Sequence, residues 1–408
     1  MKPTDWKLVS EDLQKKLNRI PILCLSDSCR VGAIFIFVIL PALYFAVLLL
    51  GQKNFDKVAS PHNYFKEVTV SKNSFLERNS SVVCKKEEYV PLASRYLEEA
   101  SVLVALNIRN GGHVLPHIAT EILQLAKYFL PHQLFVSVLE SGSTDTSGLC
   151  LHKLTEELNA RNIRNRIIIN SDIVRGRRDN RIMFLARIRN EVLEPLYSGN
   201  FSAKYVVFVN DVFLCASQII RLLLHVVQGA DMVCGLDYGK HLRFYDTWVM
   251  RDIHGGPVSA SENCSIFHSK ASMQLCENGK LVPVFSCWNG LVGMNAEVFS
   301  KSNIRFRSVE RTGEDCPASE CTLLCLDMWR NKHHRIYVDP QVKVAYDFTT
   351  FSTIFSHSNS ILNKSIVNSI REEKLETFLP PKYYFCEPLH PYSTRDDPNR
   401  GRASWYPV

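Results

Sequence analysis

Residues Tyr205–Ala216 read YVVFVNDVFLCA, and the rest of the chain takes its meaning from them. Tyr205 to Val209 is an uninterrupted β-branched and aromatic run, the composition of a strand buried on both faces. Asn210 and Asp211 follow at once, with apolar residues resuming on the far side. An acid at the end of a buried strand is costly unless something pairs with it. In α/β proteins the carboxyl end of a strand is also where ligands sit. A hard divalent cation such as Mg²⁺ or Mn²⁺, taking carboxylate and phosphate oxygens, meets both conditions. The alternative is that Asp211 ends the strand in a turn or caps the helix that begins near Ser217.

Working outward, Val102–Asn107, Leu134–Leu139 and Arg166–Asn170 read as further strands. Helical spacing over Leu115–Tyr128, Leu149–Ala160, Ile182–Tyr197 and Gln218–Val227 separates the strands. Met232–Cys234 opens another strand. This alternation predicts an α/β fold, a mainly parallel sheet flanked by helices. Beyond Gly235 the pattern loosens: residues 254–283 read as a loop excursion, Phe285–Met294 and Arg335–Ala345 as strands, and Cys321–Trp329 as a helix.

Val31–Leu50 is 20 residues without a charge, long enough to cross a bilayer as a single transmembrane helix. The expected organisation is a cytosolic tail at 1–30, the anchor at 31–50 and a stem at 51–99. A catalytic domain at 100–350 and a wrapping segment at 351–408 follow. Four N-glycosylation sequons, at Asn79, Asn200, Asn263 and Asn363, all lie beyond the anchor. So do eleven of the 13 cysteines, as expected for a type II membrane protein whose body folds in the oxidising secretory lumen. Cys24 and Cys29 stand just before the anchor, as ordinary thiols or palmitoylation sites. No paired CxxC motifs point to zinc. The formal charge of +7 comes from 48 basic and 41 acidic residues, without a basic block, and argues against a nucleic-acid partner.

Four further constellations carry candidate chemistry. ESGSTDTS after the second strand offers small residues and Asp145 to a ribose or base, or is simply a capped turn. The arginines between Arg175 and Arg189 are suited to a diphosphate, or form a solvated edge. Asp237, Asp246, Trp248, Arg251 and Asp252 set acids beside an aromatic ring, as a sugar site would, or belong to core packing. Trp288-Asn289-Gly290 and Glu320 complete the set; Glu320 is either a catalytic carboxylate or a first-turn helix acid.

Taken together, the motifs ESGS…D, RI..LA..RN..L.PLY, FVNDVF.C, GADMVCGLDY, FYDTWVMRDI, FSCWNG, SEC.LLC.D.W and VDP..KVAYD follow one order within a stretch from about Val102 to Asp347. This series resembles the fungal capsule-associated α-1,3-mannosyltransferase family, glycosyltransferase family 69. The resemblance implies a GT-A-like nucleotide-sugar fold, GDP-mannose as donor, a mannose-containing glycan as acceptor, a divalent metal and retention of anomeric configuration. It also implies a type II protein of the Golgi membrane. Asn210-Asp211 then looks like the counterpart of the family's metal motif, with Asp211 the metal ligand and Asp347 or His357 candidates for a second. By the same resemblance the expected catalytic carboxylates are Asp211, Glu320, Asp246 and Asp252. The expected donor-binding residues are Arg189, Asn190, Asp145, Asn210 and Asp237, and the expected sugar-binding residues are Trp248, Arg251, Trp288 and Asn289. Two rival readings are a non-catalytic scaffold or lectin-like subunit for polysaccharide assembly, and the same fold with another nucleotide-sugar donor.

Overall fold

The computed structural model describes Cys84 and residues 90–176, 179–309, 315–356, 360–388 and 403–408. A short helix α1 (Pro91–Tyr96) leads into β1 (Val102–Ile108), α2 (Leu115–Leu125), β2 (Leu134–Glu140), α3 (Ser147–Ala160) and β3 (Arg164–Ile168). Then come α4 (Arg181–Val192), β4 (Tyr205–Val209), α5 (Ala216–Val227) and β5 (Met232–Tyr238). The remaining strands are β6 (Arg251–Asp252), β7 (Val282–Ser286), β8 (Leu291–Asn295), β9 (Ile336–Ala345), β10 (Tyr383–Cys386) and β11 (Ser404–Pro407). The later helices are α6 (Lys270–Glu277), α7 (Glu320–Arg330), α8 (Phe348–Ser356) and α9 (Lys364–Glu372).

β1 and β4 are buried along almost their whole length, and the reason is coverage from both sides. Side chains alternate across a strand. Phe208 lies against the Arg189 guanidinium of α4, whereas Gly293, the partner of Val207, abuts Leu222 of α5. Helices α4 and α5 therefore cover opposite faces.

The nine-stranded sheet has the order β3-β2-β1-β4-β8-β5-β9-β7-β6. The strands β3, β2, β1 and β4 pair in parallel, as do β5 and β9. The expectation of a mainly parallel sheet needs one correction: β8 lies antiparallel between β4 and β5, and β7 antiparallel beside β9. The run from Phe285 to Met294 is interrupted at Asn289 (φ 44°) and Gly290 (φ 74°), and β8 begins just after, with Leu291 opposite Val209 at the end of β4. A Cβ on Gly290 would lie 3.0 Å from Val212 Cγ1, so glycine is needed there for space as well as for backbone conformation.

Residues 254–283 hold more structure than a loop: helix α6 is stapled by Cys264–Cys276. Three other disulfides join Cys84 to Cys215, Cys234 to Cys287 and Cys316 to Cys386, and Cys150, Cys321 and Cys325 are buried free thiols. Among the described residues no helix is long and apolar enough to cross a membrane. The anchor stretch 31–50, Cys24, Cys29, Asn79 and His357 lie outside the described residues.

Candidate active site

Strand order locates the site before any side chain is considered. From β1 the chain proceeds outward through β2 and β3, then returns to place β4 on the other side of β1. The carboxyl ends of β1 and β4 thus flank the topological switch point, the place where open α/β sheets bind ligands. Asp211 stands there, two residues past β4. It is exposed, and among the described residues its carboxylate receives no hydrogen bond. Facing it is the loop after β1. Asp145 organises that loop, accepting from the Gly112 N–H at 2.8 Å and from Ser147 N at 3.0 Å.

The segment carrying Asp211 is held rigidly. The Asn210 N–H donates to the Gly290 carbonyl, and Phe213 pairs with Ala345 in both directions. On α2, Glu121 accepts from Ala216 N at 2.9 Å, and His117 Nε2 meets the Leu214 backbone. Burial pushes His117 down to about 4 and Glu121 up to about 7. Cys84, His117 and Glu121 bring their ligand atoms close together, but the Cys84 sulfur is bonded to Cys215 and is no thiolate. The cluster braces the loop. A His and a Glu one turn apart on an otherwise apolar helix were the available sequence signal for it.

Behind Asp211 lies a pair of acids, Asp237 fully buried and Asp246 half-buried. The hairpin after β5 folds back so that the Asp246 N–H donates to Asp237 Oδ1 (3.1 Å) and the Tyr245 N–H to the Asp237 carbonyl (3.0 Å). Asp237 Oδ2 accepts from the Tyr346 hydroxyl at 2.9 Å. Asp246 accepts from the Val249 and Asn289 N–H groups, both at 3.3 Å. Burial, reinforced by the neighbouring Asp246, drives the Asp237 carboxyl well above the ordinary carboxylate range; burial also raises Asp246. The Tyr346 phenol is raised as well, first by burial and then by Asp237, Asp246 and Asp211.

A second layer supports this one. Arg189 Nε donates to Glu320 Oε1 at 2.9 Å, both side chains being buried, and its guanidinium lies 4.6 Å from the Trp288 ring centroid. The Trp288 indole N–H reaches Asn210 Oδ1 at 3.2 Å. A chain of contacts thus runs Glu320–Arg189–Trp288–Asn210 to the residue before Asp211. Asn190, next to Arg189, clamps the Phe306 backbone with both ends of its amide, donating to the carbonyl and accepting from the N–H.

The structure therefore brings together Asp211, Asn210, Asp237, Asp246, Trp288, Asn289, Glu320 and Arg189. It divides the stretch from Asp246 to Asp252. Trp248 Nε1 donates to the Glu387 carbonyl, Arg251 to the carbonyls of Phe385, Thr247 and Met250, and Asp252 closes a turn by accepting from His254 and Gly256 N–H. Asp347 caps α8 through Thr350 N and Oγ1. Sequence reasoning missed Tyr346, which adjoins Asp347, because an isolated Tyr at a strand end carries no signal of its own. Asn200, Asn263 and Asn363 are all exposed.

Residues 101–327 match the family model described as Cryptococcal mannosyltransferase 1. Alpha-1,3-mannosyltransferase CMT1 of Cryptococcus neoformans is 30% identical to this chain over 285 residues, which are 64% of this chain and 61% of that relative's length. Among solved structures, S. aureus TarS is similar at 14% identity, with 66% of this chain and 69% of that chain covered and a TM-score of 0.36. Mannosyltransferase PcManGT from Pyrobaculum calidifontis, solved with GDP-Man and Mn2+, is similar at 12% identity, 73% and 80% coverage and a TM-score of 0.35.

Proposed function

Because the chain belongs to the Cryptococcal mannosyltransferase 1 family, we propose that it transfers mannose from GDP-mannose to a mannoside acceptor in α-1,3 linkage, with retention, on a GT-A-like fold. One observation carries the reading. Asp211 offers an exposed carboxylate, without a hydrogen bond among the described residues, at the switch point of the sheet.

The residues there fit a hard divalent cation, Mn²⁺ or Mg²⁺. Such ions accept one protein carboxylate when substrate phosphate and water complete the shell, and Asp211 is the residue that would hold it. When bound, the ion would supply neutralising charge to the departing diphosphate. Around it, the Asn110–Gly112 loop is held in place through its N–H groups by Ser143, Ser147 and Asp145. Arginines of α4, among them the exposed Arg181 and Arg187, supply positive charge nearby. Asp246 is positioned to accept a sugar hydroxyl. Glu320 is 1% exposed and paired with Arg189, which supports attack and departure on one face of the donor sugar over a covalent route through Glu320. Placement in the Golgi membrane as a type II protein, anchored by residues 31–50 and glycosylated on Asn79, Asn200, Asn263 and Asn363, belongs to the same proposal.

The test is GDP release by the full-length protein in detergent, with GDP-mannose, Mn²⁺ and an α-mannose disaccharide, repeated with EDTA. Acceptor-dependent, EDTA-sensitive release is expected, and Asp211→Asn should lower it by roughly 10²-fold or more with the melting temperature retained. Wild-type turnover by Asp211→Asn in Mn²⁺ would sink the metal assignment. Turnover of a different nucleotide sugar alone would remove the donor, and silence with every donor would favour the scaffold reading.

A further inference from the structure

Tyr245 is 45% exposed, and its ring packs on that of Tyr346 with centroids 4.5 Å apart. The other large aromatic side chains this open among the described residues, Tyr383 and Trp405, sit on β10 and β11. Tyr245 stands instead among the acids. Its own N–H is fixed to the Asp237 carbonyl, the next residue is Asp246, and the Tyr346 hydroxyl is bound to Asp237 Oδ2. The two rings come from different elements, the hairpin after β5 and the end of β9, and meet only through the fold. The two rings are tilted by 50°, so the Tyr346 ring braces that of Tyr245, whose exposed side is an apolar face beside Asp246. A pyranose ring has the matching chemistry: C–H groups on its faces and hydroxyl donors at its edge.

We propose that the exposed ring of Tyr245, braced by Tyr346, is the platform on which the acceptor's terminal pyranose ring stacks, its hydroxyls received by Asp246. The assignment rests on the mannosyl-transfer reading above and names a subsite for it. Sheet order separates acceptor from donor. Asp211 follows β4, whereas Tyr245 follows β5, two strand positions further along the sheet. At the ordinary interstrand spacing that is roughly 10 Å, which puts the platform beyond the diphosphate by about the reach of the donor sugar. A nucleobase bound over β1 and β4 would lie on the other side of Asp211. The residue expected from sequence to stack on a sugar, Trp248, has its indole N–H on the Glu387 carbonyl; Tyr245 takes that role.

The test pairs kinetics with direct binding, using the full-length protein. Tyr245→Ala should raise the KM for the α-mannose disaccharide about tenfold, leave the KM for GDP-mannose within about twofold, and be largely restored by Tyr245→Trp. Saturation-transfer NMR with methyl α-mannopyranoside, which needs no turnover, should show ring-proton transfer that is lost in Tyr245→Ala. An unchanged acceptor KM, or a rise in the donor KM instead, overturns the platform while leaving mannosyl transfer standing. Mannoside binding that depends on Tyr245, in a protein that turns over no donor, upholds the platform and removes the transferase. A wild-type protein that neither transfers nor binds mannoside removes both.

Discussion

Two buried arginine–carboxylate pairs brace opposite sides of the sheet, and the acids around them are held in different states. On the α5 side of the sheet, Arg221 Nε and Nη2 both reach Asp339, at 2.6 and 3.4 Å, while Nη1 donates to the Ile361 carbonyl. His225 Nε2 lies 3.0 Å from the same carboxylate, and the Gln341 N–H donates to it. Burial alone would raise Asp339, but Arg221 and His225 overcome it and hold the carboxyl below its ordinary value. On the α4 side, Arg189 reaches Glu320 through Nε; among the described residues its buried Nη1 has no hydrogen-bond partner, as His225 Nδ1 has none on the α5 side. Its planar faces are taken by Trp288, Phe208 and Phe306. The acids nearby, Asp237 and Asp246, are raised rather than lowered. A network that keeps its acid ionised fixes a fold, whereas a buried arginine beside raised acids is what a site keeps for its ligand.

The sharpest break of this contrast is Arg221→Ala. It leaves Asp339 as a buried charge without its main partner, and a stability loss of about 3–5 kcal/mol by urea unfolding is expected. A loss below about 1 kcal/mol would show that the network is not what joins α5 to β9. Next is Arg189→Lys, which keeps the charge but loses the planar guanidinium that covers Trp288. Stability should fall by only about 1–2 kcal/mol, yet turnover should fall by an order of magnitude or more, because Trp288 orients Asn210 beside Asp211. Equal fractional losses in stability and rate would make Arg189 a purely structural residue.

The smallest effect concerns pH. A carboxyl lowered in the native state, like Asp339, contributes stability above the pKa of the unfolded chain and loses it as pH falls below. A raised one, like Asp237, works the other way: its native protonation helps at low pH, and the benefit is lost as pH rises. Asp237→Asn should therefore raise the melting temperature by a few degrees at neutral pH in EDTA, and the gain should vanish toward pH 4. A gain that grows on acidification would contradict the raised carboxyl.

The sequence by itself determined the elements that local chemistry dictates. The strand at Tyr205–Val209, its alternation with amphipathic helices and the polar pair ending it were all legible, because burial on two faces demands an unbroken apolar run. The family was legible too, because eight motifs kept their order. Tertiary structure alone decided how those motifs divide. Asp246 and Arg251 lie five residues apart in one motif, yet Asp246 turns toward Asp237 and Asn289 while Arg251 binds the carbonyls of the C-terminal strand. Which way each side chain faces depends on the hairpin after β5, closed by Asp237, and no spacing rule encodes that. The break at Asn289 and Gly290 likewise falls inside a run that reads as continuous strand. Tyr245 and Tyr346, a hundred residues apart, became a pair only because β5 and β9 are neighbours in the sheet. Periodicity reports how much of a residue is buried; what it is buried against is a property of the folded chain.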